Sequence, residues 1–271
     1  MNRLFTSFLC AIVITVWLLW AHYSPDIAAY FLWLSDSTVS TAGTWGDSFG
    51  PLNALISSFA FIGVCITLFT QSDAIKIQTA DTHRQRFESS FFEIIRIMKE
   101  VRDNISFTNS RDYSDHIRKE SGLPPLKKLP RYSNIKAIRQ CVKEIQFWLV
   151  RNKIAFKPDE DQMKNIYMRS VHSRFESTLS PYFRLIYTTL KKINDDKILN
   201  DGEKIYYANL LRSQLTSFEI ILIGINALCP ISNDFKKYVS HFRLLKYVPK
   251  GRWRQRLRLF YDDEVFAGRD D

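Results

Sequence analysis

The histidines and cysteines are the residues best suited to chemistry, and both types are scattered along the chain. The five histidines stand singly and form no His-Glu-x-x-His zinc motif, and glycine-rich phosphate loops and Gly-x-Ser-x-Gly nucleophile motifs are absent. The cysteines, also far apart, are Cys10, Cys65, Cys141 and Cys229. We therefore predict reduced thiols facing the cytosol, no disulfide framework, no metal, no cofactor and no enzymatic activity.

Arg111 and His116 form the one pair whose spacing is typical of a catalytic site. The Arg-x4-His form resembles that of the all-helical HEPN ribonucleases, in which the pair lies on a helix and serves as acid/base and phosphate partner. Here it falls within residues 106–134, a polar region with a glycine and three prolines that predicts a long loop. Since such a spacing is expected by chance, we predict that His116 is dispensable.

A basic and aromatic segment lies at residues 250–260. It has three interpretations: a solvated helix face, a surface on the anionic inner leaflet, or a site for RNA or single-stranded DNA. Near such a leaflet each base contributes about 1 kcal/mol, whereas arginine beside an aromatic ring suits unpaired bases. The candidate nucleic-acid or anionic-lipid residues are Lys250, Arg252, Trp253, Arg254, Arg256 and Arg258.

Small and polar residues recur along one side of the apolar segment 51–70. Their spacing of i, i+4, i+7, i+11 and i+14 places them on one face of a helix. Small side chains let helices approach closely, and Asn and Ser can form hydrogen bonds across the contact. The stripe predicts a transmembrane helix contact, within or between subunits, or the wall of an aqueous path. Its members are Asn53, Ser57, Ala60, Val64 and Thr67.

Two segments, at about 4–21 and 51–70, are predicted to be transmembrane helices. Neither contains a charged residue, and each is long enough for about 30 Å of hydrocarbon. Pro51 suits the first turn of a helix, and a soluble core helix would carry charges on one face. A cleaved signal peptide is the alternative for 4–21, but the stretch is long and no clear cleavage site follows.

Charge is distributed unevenly along the chain, whose net charge is +10. Residues 1–70 contain one base, Arg3, and three aspartates, so the remainder carries a net +12. The loop 22–50 contains aspartates but no lysine or arginine, while bases follow the second span. The positive-inside rule then places both termini in the cytoplasm and the loop outside. The basic excess predicts an anionic partner, either lipid or nucleic acid.

Apolar residues at helical spacing continue after the second span and predict an all-α fold: two N-terminal transmembrane helices followed by a helical cytosolic domain. Residues 1–72 would form the membrane domain, and residues 73–271 the basic cytosolic domain. The first cytosolic stripe contains Phe87, Phe91, Ile94, Met98, Val101 and Ile105. Further helices are predicted over 135–149, 159–194 with a kink or break at Pro181, 201–228, 232–247 and 252–261.

Several motifs resemble the phage abortive infection family known as AbiC-like. The entry to the second span is Gly46-Asp47-Ser48-Phe49-Gly50-Pro51-Leu52-Asn53, and the following helix contains Phe87-Glu88-Ser89-Ser90-Phe91-Phe92. The segments 181–187 and 210–228 also look like that family. The most specific part of the resemblance is residues 43–98, where Ser48 stands in place of the usual aromatic residue. The resemblance implies phage defence without defining a reaction.

The predicted function is therefore that of a bacterial inner-membrane, multi-pass effector of phage defence. It would sense infection in the cytosol and disrupt the membrane through its transmembrane helices, acting as a homo-oligomer in contact with inner-membrane lipids. Two alternatives stay open. One is a membrane-tethered HEPN-like ribonuclease. The other is a retron-type effector whose basic domain binds RNA, DNA or a reverse transcriptase.

Overall fold

A computed structural model of the chain describes residues 14–16, 18–20, 22, 23, 49–232 and 234–268. The chain divides into two units, Met1–Thr79 and Ala80–Asp271. The described residues are mostly helical, and the strands among them form one antiparallel pair. The predicted helical fold class is confirmed at this level.

The first unit contains the two segments that are predicted to be transmembrane helices. The predicted span 4–21 lies largely outside the described residues, although residues 14–16 and 18–20 within it are helical. Helix α1, Phe49–Asp103, is the one described helix that length and composition qualify to cross a membrane, and its apolar window is entirely unburied. The described residues thus contain one candidate span where the sequence predicts two.

The second unit starts within α1 and holds the remaining elements. The strands are β1, Ser106–Thr108, and β2, Arg131–Ser133. The helices are α2, Arg111–Glu120; α3, Asn134–Arg151; α4, Glu160–Tyr167; α5, Ser173–Asp195; α6, Asp201–Ser213; α7, Ser217–Asn226; α8, Phe235–His241; and α9, Arg252–Leu257. A π-helix, Met168–His172, joins α4 to α5. Short 3₁₀ helices are Pro230–Ser232, Leu244–Tyr247 and Asp263–Phe266.

The core of this unit is built on the predicted apolar stripes. Phe87, Phe91 and Met98 of α1 are buried. So are the apolar residues at helical spacing in α3, which are Ile138, Val142, Ile145 and Leu149. Helix α7 is buried along most of its length and packs against α3, α4, α9 and the 3₁₀ helix Leu244–Tyr247. A Cβ on Gly224 would lie 3.0 Å from the Leu245 side chain, which would have to shift to accept any larger residue.

The prediction of a long loop over 106–134 is wrong. The strands pair with Phe107 opposite Tyr132, and α2 lies between them in sequence. Ser110 caps α2, because its side chain accepts a hydrogen bond from the Tyr113 backbone N–H. The glycine and the three prolines all lie within residues 122–130. Their presence does not prevent regular structure on either side.

The helix predicted over 159–194 is interrupted, but not at Pro181 as predicted. An Asp159–Gln162 capping box starts α4, and the π-helix then interrupts the α-helical hydrogen bonding. The Ser170 hydroxyl donates to the Ile166 carbonyl, a local bond that competes with the backbone ladder. The backbone leaves helical geometry at Phe175, with φ −136° and ψ 27°, whereas Pro181 lies within α5.

The predicted helix over 201–228 is two helices, α6 and α7. They are separated because Thr216 and Glu219 form a capping box that starts a new helix. The Glu219 carboxylate accepts the Thr216 backbone N–H at 2.6 Å. The motif was visible as Thr-Ser-Phe-Glu, but the continuous apolar spacing around it concealed the boundary.

Candidate functional site

The predicted transmembrane stripe lies on α1, and its five residues are exposed together with the apolar side chains around them. At about 100° per residue, Asn53, Ser57, Ala60, Val64 and Thr67 occupy an arc of roughly 80°. Phe59, Phe61 and Phe69 are among the most exposed large apolar residues, at 66%, 69% and 74%. An apolar surface of this kind marks contact with a membrane or another protein.

The polar members of the stripe differ in their hydrogen bonding. Thr67 donates to the Gly63 carbonyl at 2.8 Å and is satisfied within its own helix. Ser58, off the stripe, does the same with Ala54. In the described part of the chain, no side-chain hydrogen bond involves Asn53 or Ser57. The donors and acceptors of these two side chains are therefore unused within the described part of the chain.

The basic segment near the C-terminus does not form one exposed face. Arg256 is 2% exposed and donates to the Ala155 carbonyl at 2.7 Å and to Gln146 Oε1 at 2.5 Å. Burial, together with the nearby charge of Arg252, lowers the pKa of Arg256 to about 10. The guanidinium also lies over the Trp253 ring, 4.9 Å from its centroid. Arg256 is therefore a core residue, and its predicted role in ligand binding is corrected.

Two other bases of that segment also have partners inside the domain. Arg254 donates to the Val248 and Phe266 carbonyls at 3.1 and 2.7 Å. Arg258 forms an exposed ion pair with Asp263 at 3.1 Å. Lys250 and Arg252 remain exposed. Three of the five predicted bases, Lys250, Arg252 and Arg258, are therefore exposed, and one of them forms an ion pair.

Arg111 and His116 lie on α2, and both line one cavity of about 460 Å³. Arg111 Nη1 donates to the Leu126 carbonyl at 2.7 Å, which ties the following loop to the helix. His116 Nε2 lies 3.3 Å from Glu120 Oε1, and its ring is 5.1 Å from the Phe147 ring. The pair therefore lies on a helix and not in the loop predicted from the sequence. Both side chains also have partners within the protein.

A second cavity adjoins the first, since Asp112 lines both. It measures about 420 Å³ and lies among α2, α3, α4, the π-helix and α5. Its lining residues include Trp148, Asn152, Asn165, Arg169 and Arg174. We call the two cavities together the arginine cleft. Its bases are Arg111, Lys119, Arg151, Arg169 and Arg174.

Glu144 organises the wall of the arginine cleft. It is fully buried, and its carboxylate accepts the Ser110 backbone N–H at 3.1 Å and the Trp148 indole N–H at 3.1 Å. Arg174 Nη1 lies 3.4 Å from Glu144 Oε1 and is the third partner of this carboxylate. A buried carboxylate is removed from water, so partners of this kind are needed to offset the lost solvation. It therefore holds Trp148 and Arg174 in fixed positions.

Two of the arginines that belong to the cleft lie over aromatic rings. Arg151 Cζ is 5.2 Å from the Trp148 ring centroid and 5.7 Å from that of Phe147. Arg174 Cζ is 5.2 Å from the Phe175 ring centroid. Arg169 belongs to the π-helix, and no protein group in the described residues pairs with its exposed guanidinium. The cleft thus combines fixed cations with planar apolar surfaces.

Sequence reasoning missed the arginine cleft. Glu144 and Trp148 are four residues apart on a helix, which was a readable signal for a side-chain contact. The other partners, Ser110 and Arg174, are 34 and 30 residues away from Glu144. One sequence offers no means of pairing residues at such separations.

Two of the cysteines lie in the core of the second unit. Cys141 and Cys229 are buried and free. Burial raises the pKa of both thiols, that of Cys229 to about 12, which suppresses thiolate formation. Within the described ranges, no group of three potential ligands could hold a metal ion.

The chain shows similarity to proteins of phage defence. Residues 174–253 match the family model putAbiC, described as "Putative phage abortive infection protein". The match extends from α5 into α9 and includes the segments 181–187 and 210–228 that suggested the resemblance. The motifs at 43–98 lie outside it. No curated protein and no solved structure matches the chain.

Proposed function

We propose that this protein is a bacterial inner-membrane effector of phage defence. The similarity of residues 174–253 to abortive infection proteins supports the biological role. The chemistry of α1 supports the place of action. In this proposal the protein spans the membrane with both termini in the cytoplasm, responds to infection there, and stops the cell by damaging its membrane.

The observation that carries the proposal is the unburied apolar segment of α1. Residues 53–71 would extend about 28 Å as a helix, close to the roughly 30 Å of a bilayer's hydrocarbon. Large apolar side chains face outward on several sides of this segment, Leu55, Phe61 and Phe69 among them. In water such a surface would aggregate, whereas lipid satisfies it without a protein partner.

The proposed lesion depends on association of α1 helices from several subunits. Asn53 and Ser57 have unused hydrogen-bonding groups, and Ala60 permits close approach of a neighbouring helix. Interhelical bonds of this type contribute about 0.6–2 kcal/mol each in lipid. That strength, repeated around a ring, biases assembly while leaving it reversible. The effect is physical damage, so no catalytic residue is needed.

A matched set of variants tests this function. Asn53→Leu removes the polar group but keeps an apolar span, and Ser57→Leu adds bulk at the proposed contact. Both should remain in membrane fractions at the parent level, lose crosslinked oligomers and fail to protect cells from phage. Phe59→Leu, away from the stripe, should behave as the parent. Full protection by both stripe variants would contradict the proposed assembly.

A membrane-tethered ribonuclease is the second candidate. The observation in its favour is that Arg111 and His116 lie on one helix and line one cavity. Against it, Arg111 holds the Leu126 carbonyl and His116 faces Glu120. RNA cleavage by the purified parent protein, abolished by His116→Ala, would favour this candidate over membrane damage.

A further inference from the structure

We propose that the arginine cleft binds single-stranded nucleic acid, with a base packed against Trp148 and phosphates held by Arg169 and Arg174. This surface differs from the C-terminal basic segment considered in the sequence analysis. It also lies outside the α1 stripe, and the proposal does not depend on how the protein acts on the membrane.

The size and lining of the cleft suit nucleotides. The cavity at Trp148 measures about 420 Å³, within the roughly 300–1,000 Å³ of ligand pockets. It offers an indole, two guanidiniums and the side-chain amides of Asn152 and Asn165. Aromatic rings stack with bases, arginine binds phosphate and amides form hydrogen bonds with base edges. All three kinds of group are therefore present in one concave site.

Contacts within the protein set the positions of two of the key groups, Trp148 and Arg174. Glu144 fixes the indole through its N–H and holds Arg174 from below the surface. Arg174 also donates to the Ser170 and Thr108 carbonyls at 2.9 and 2.8 Å, and about a third of its side chain, 32%, remains exposed to a phosphate. Arg169 is free of protein partners among the described residues. Preorganised groups lose little conformational entropy on binding, which favours affinity.

The adjoining cavity favours a polymer over a single nucleotide as the ligand of the arginine cleft. It supplies Lys119 and Arg111, and its Phe147 ring lies 5.1 Å from the Trp148 ring. Arg151 stands at the junction, where it forms an exposed ion pair with Asp112 at 2.9 Å. An exposed ion pair contributes little to stability. A phosphate can therefore replace Asp112 as the partner of Arg151 as a strand passes between the cavities.

The test uses the full chain in detergent micelles and a fluorescein-labelled oligouridylate of about 12 nucleotides, near the upper end of known site sizes. Fluorescence anisotropy measures affinity between about 50 and about 200 mM salt, because phosphate contacts make binding salt-dependent. Trp148→Leu should weaken binding roughly 5- to 100-fold without changing the salt slope. Arg169→Ala should weaken binding and reduce that slope by about 0.7.

Matched variants separate the cleft from general attraction to a basic protein. Asp112→Asn should strengthen binding, whereas Glu100→Gln, which removes the same charge from an exposed ion pair with Arg96, should not. Lys250→Ala combined with Arg252→Ala should leave affinity and slope unchanged. Because Trp148→Leu removes a donor from Glu144, the decisive variant is Arg169→Ala, which should keep the parent melting temperature.

Three results would overturn the proposal. The first is absence of binding at about 50 mM salt, where electrostatic binding is favoured. The second is unchanged affinity and salt slope in Arg169→Ala, especially if the Lys250/Arg252 variant loses binding. The third is displacement of the oligonucleotide by an equal molar concentration of uridine monophosphate, which would make the site one for free nucleotides.

Discussion

Trp148 and Glu144 are joined within helix α3 by a hydrogen bond in which the indole Nε1 donates to Glu144 Oε1 at 3.1 Å. The same carboxylate, fully buried, also accepts the N–H of Ser110 and lies beside the guanidinium of Arg174. One charge therefore joins the start of α2, the middle of α3 and the start of α5. This junction holds the arginine cleft in shape.

Glu144→Gln should destabilise the protein by about 1–3 kcal/mol. The amide keeps the shape of the side chain, but it removes the charge that Arg174 faces and turns two acceptors into one. Thermal melting of the parent and variant in the same detergent measures the effect. Glu100→Gln, at an exposed ion pair with Arg96, should cost less than about 1 kcal/mol. Equal melting temperatures for both variants would contradict the structural role of Glu144.

Arg256→Ala should lower stability by at least about 2 kcal/mol, because it leaves the Ala155 carbonyl and Gln146 Oε1 without their donor. Arg252→Ala, which removes a base of the same segment from an exposed position, should melt like the parent. Urea or thermal unfolding compares the two variants. If Arg256→Ala unfolds like Arg252→Ala, the buried position of Arg256 is wrong and the segment regains its interpretation as a solvated basic face.

The sequence predicted the helical core well and the binding groups poorly, for separate physical reasons. Phe87, Phe91 and Met98 follow helical periodicity, and local spacing is enough to assign them to the core. Arg256 illustrates the opposite case. Its partners, Ala155 and Gln146, are 101 and 110 residues away, so they could not be predicted from local spacing. The basic composition of residues 250–260 instead favoured an exposed site.

The predicted boundaries of helices were wrong where short-range hydrogen bonds, and not apolar periodicity, determine where a helix begins. The capping box of Thr216 and Glu219 divides α6 from α7 although apolar residues continue across it. The cap on α2 by Ser110 likewise creates a helix in a region that prolines had marked as a loop. Both capping motifs are present in the sequence. The continuous apolar spacing in one case, and the glycine and prolines in the other, led to a different prediction.

His116→Ala should leave phage protection and toxicity unchanged. In the structure His116 contacts the Phe147 ring and faces the exposed Glu120, so its loss removes a surface contact and no essential charge. Plaque assays and protein levels measure the outcome. Loss of protection at a normal protein level would support the ribonuclease candidate, provided that the parent protein cleaves RNA and the variant does not.

The proposed topology predicts the behaviour of reporter fusions. A reporter that is active only outside the inner membrane should work when fused after Ser37 and fail when fused after Asp271. The physical basis is the uneven charge, with aspartates but no lysine or arginine in 22–50 and bases following the apolar part of α1. The reverse pattern of activity would invert the orientation. Activity at both sites would mean an even number of crossings between them.

Single-cell membrane potential during phage infection tests the central claim most directly. Cells that carry the parent protein should depolarise after infection and before phage release, as should cells with Phe59→Leu. Cells with Asn53→Leu or Ser57→Leu, at equal protein levels in the membrane, should keep their potential and release phage. If parent cells are protected while their potential stays intact until they stop growing, the protein does not act by damaging the membrane.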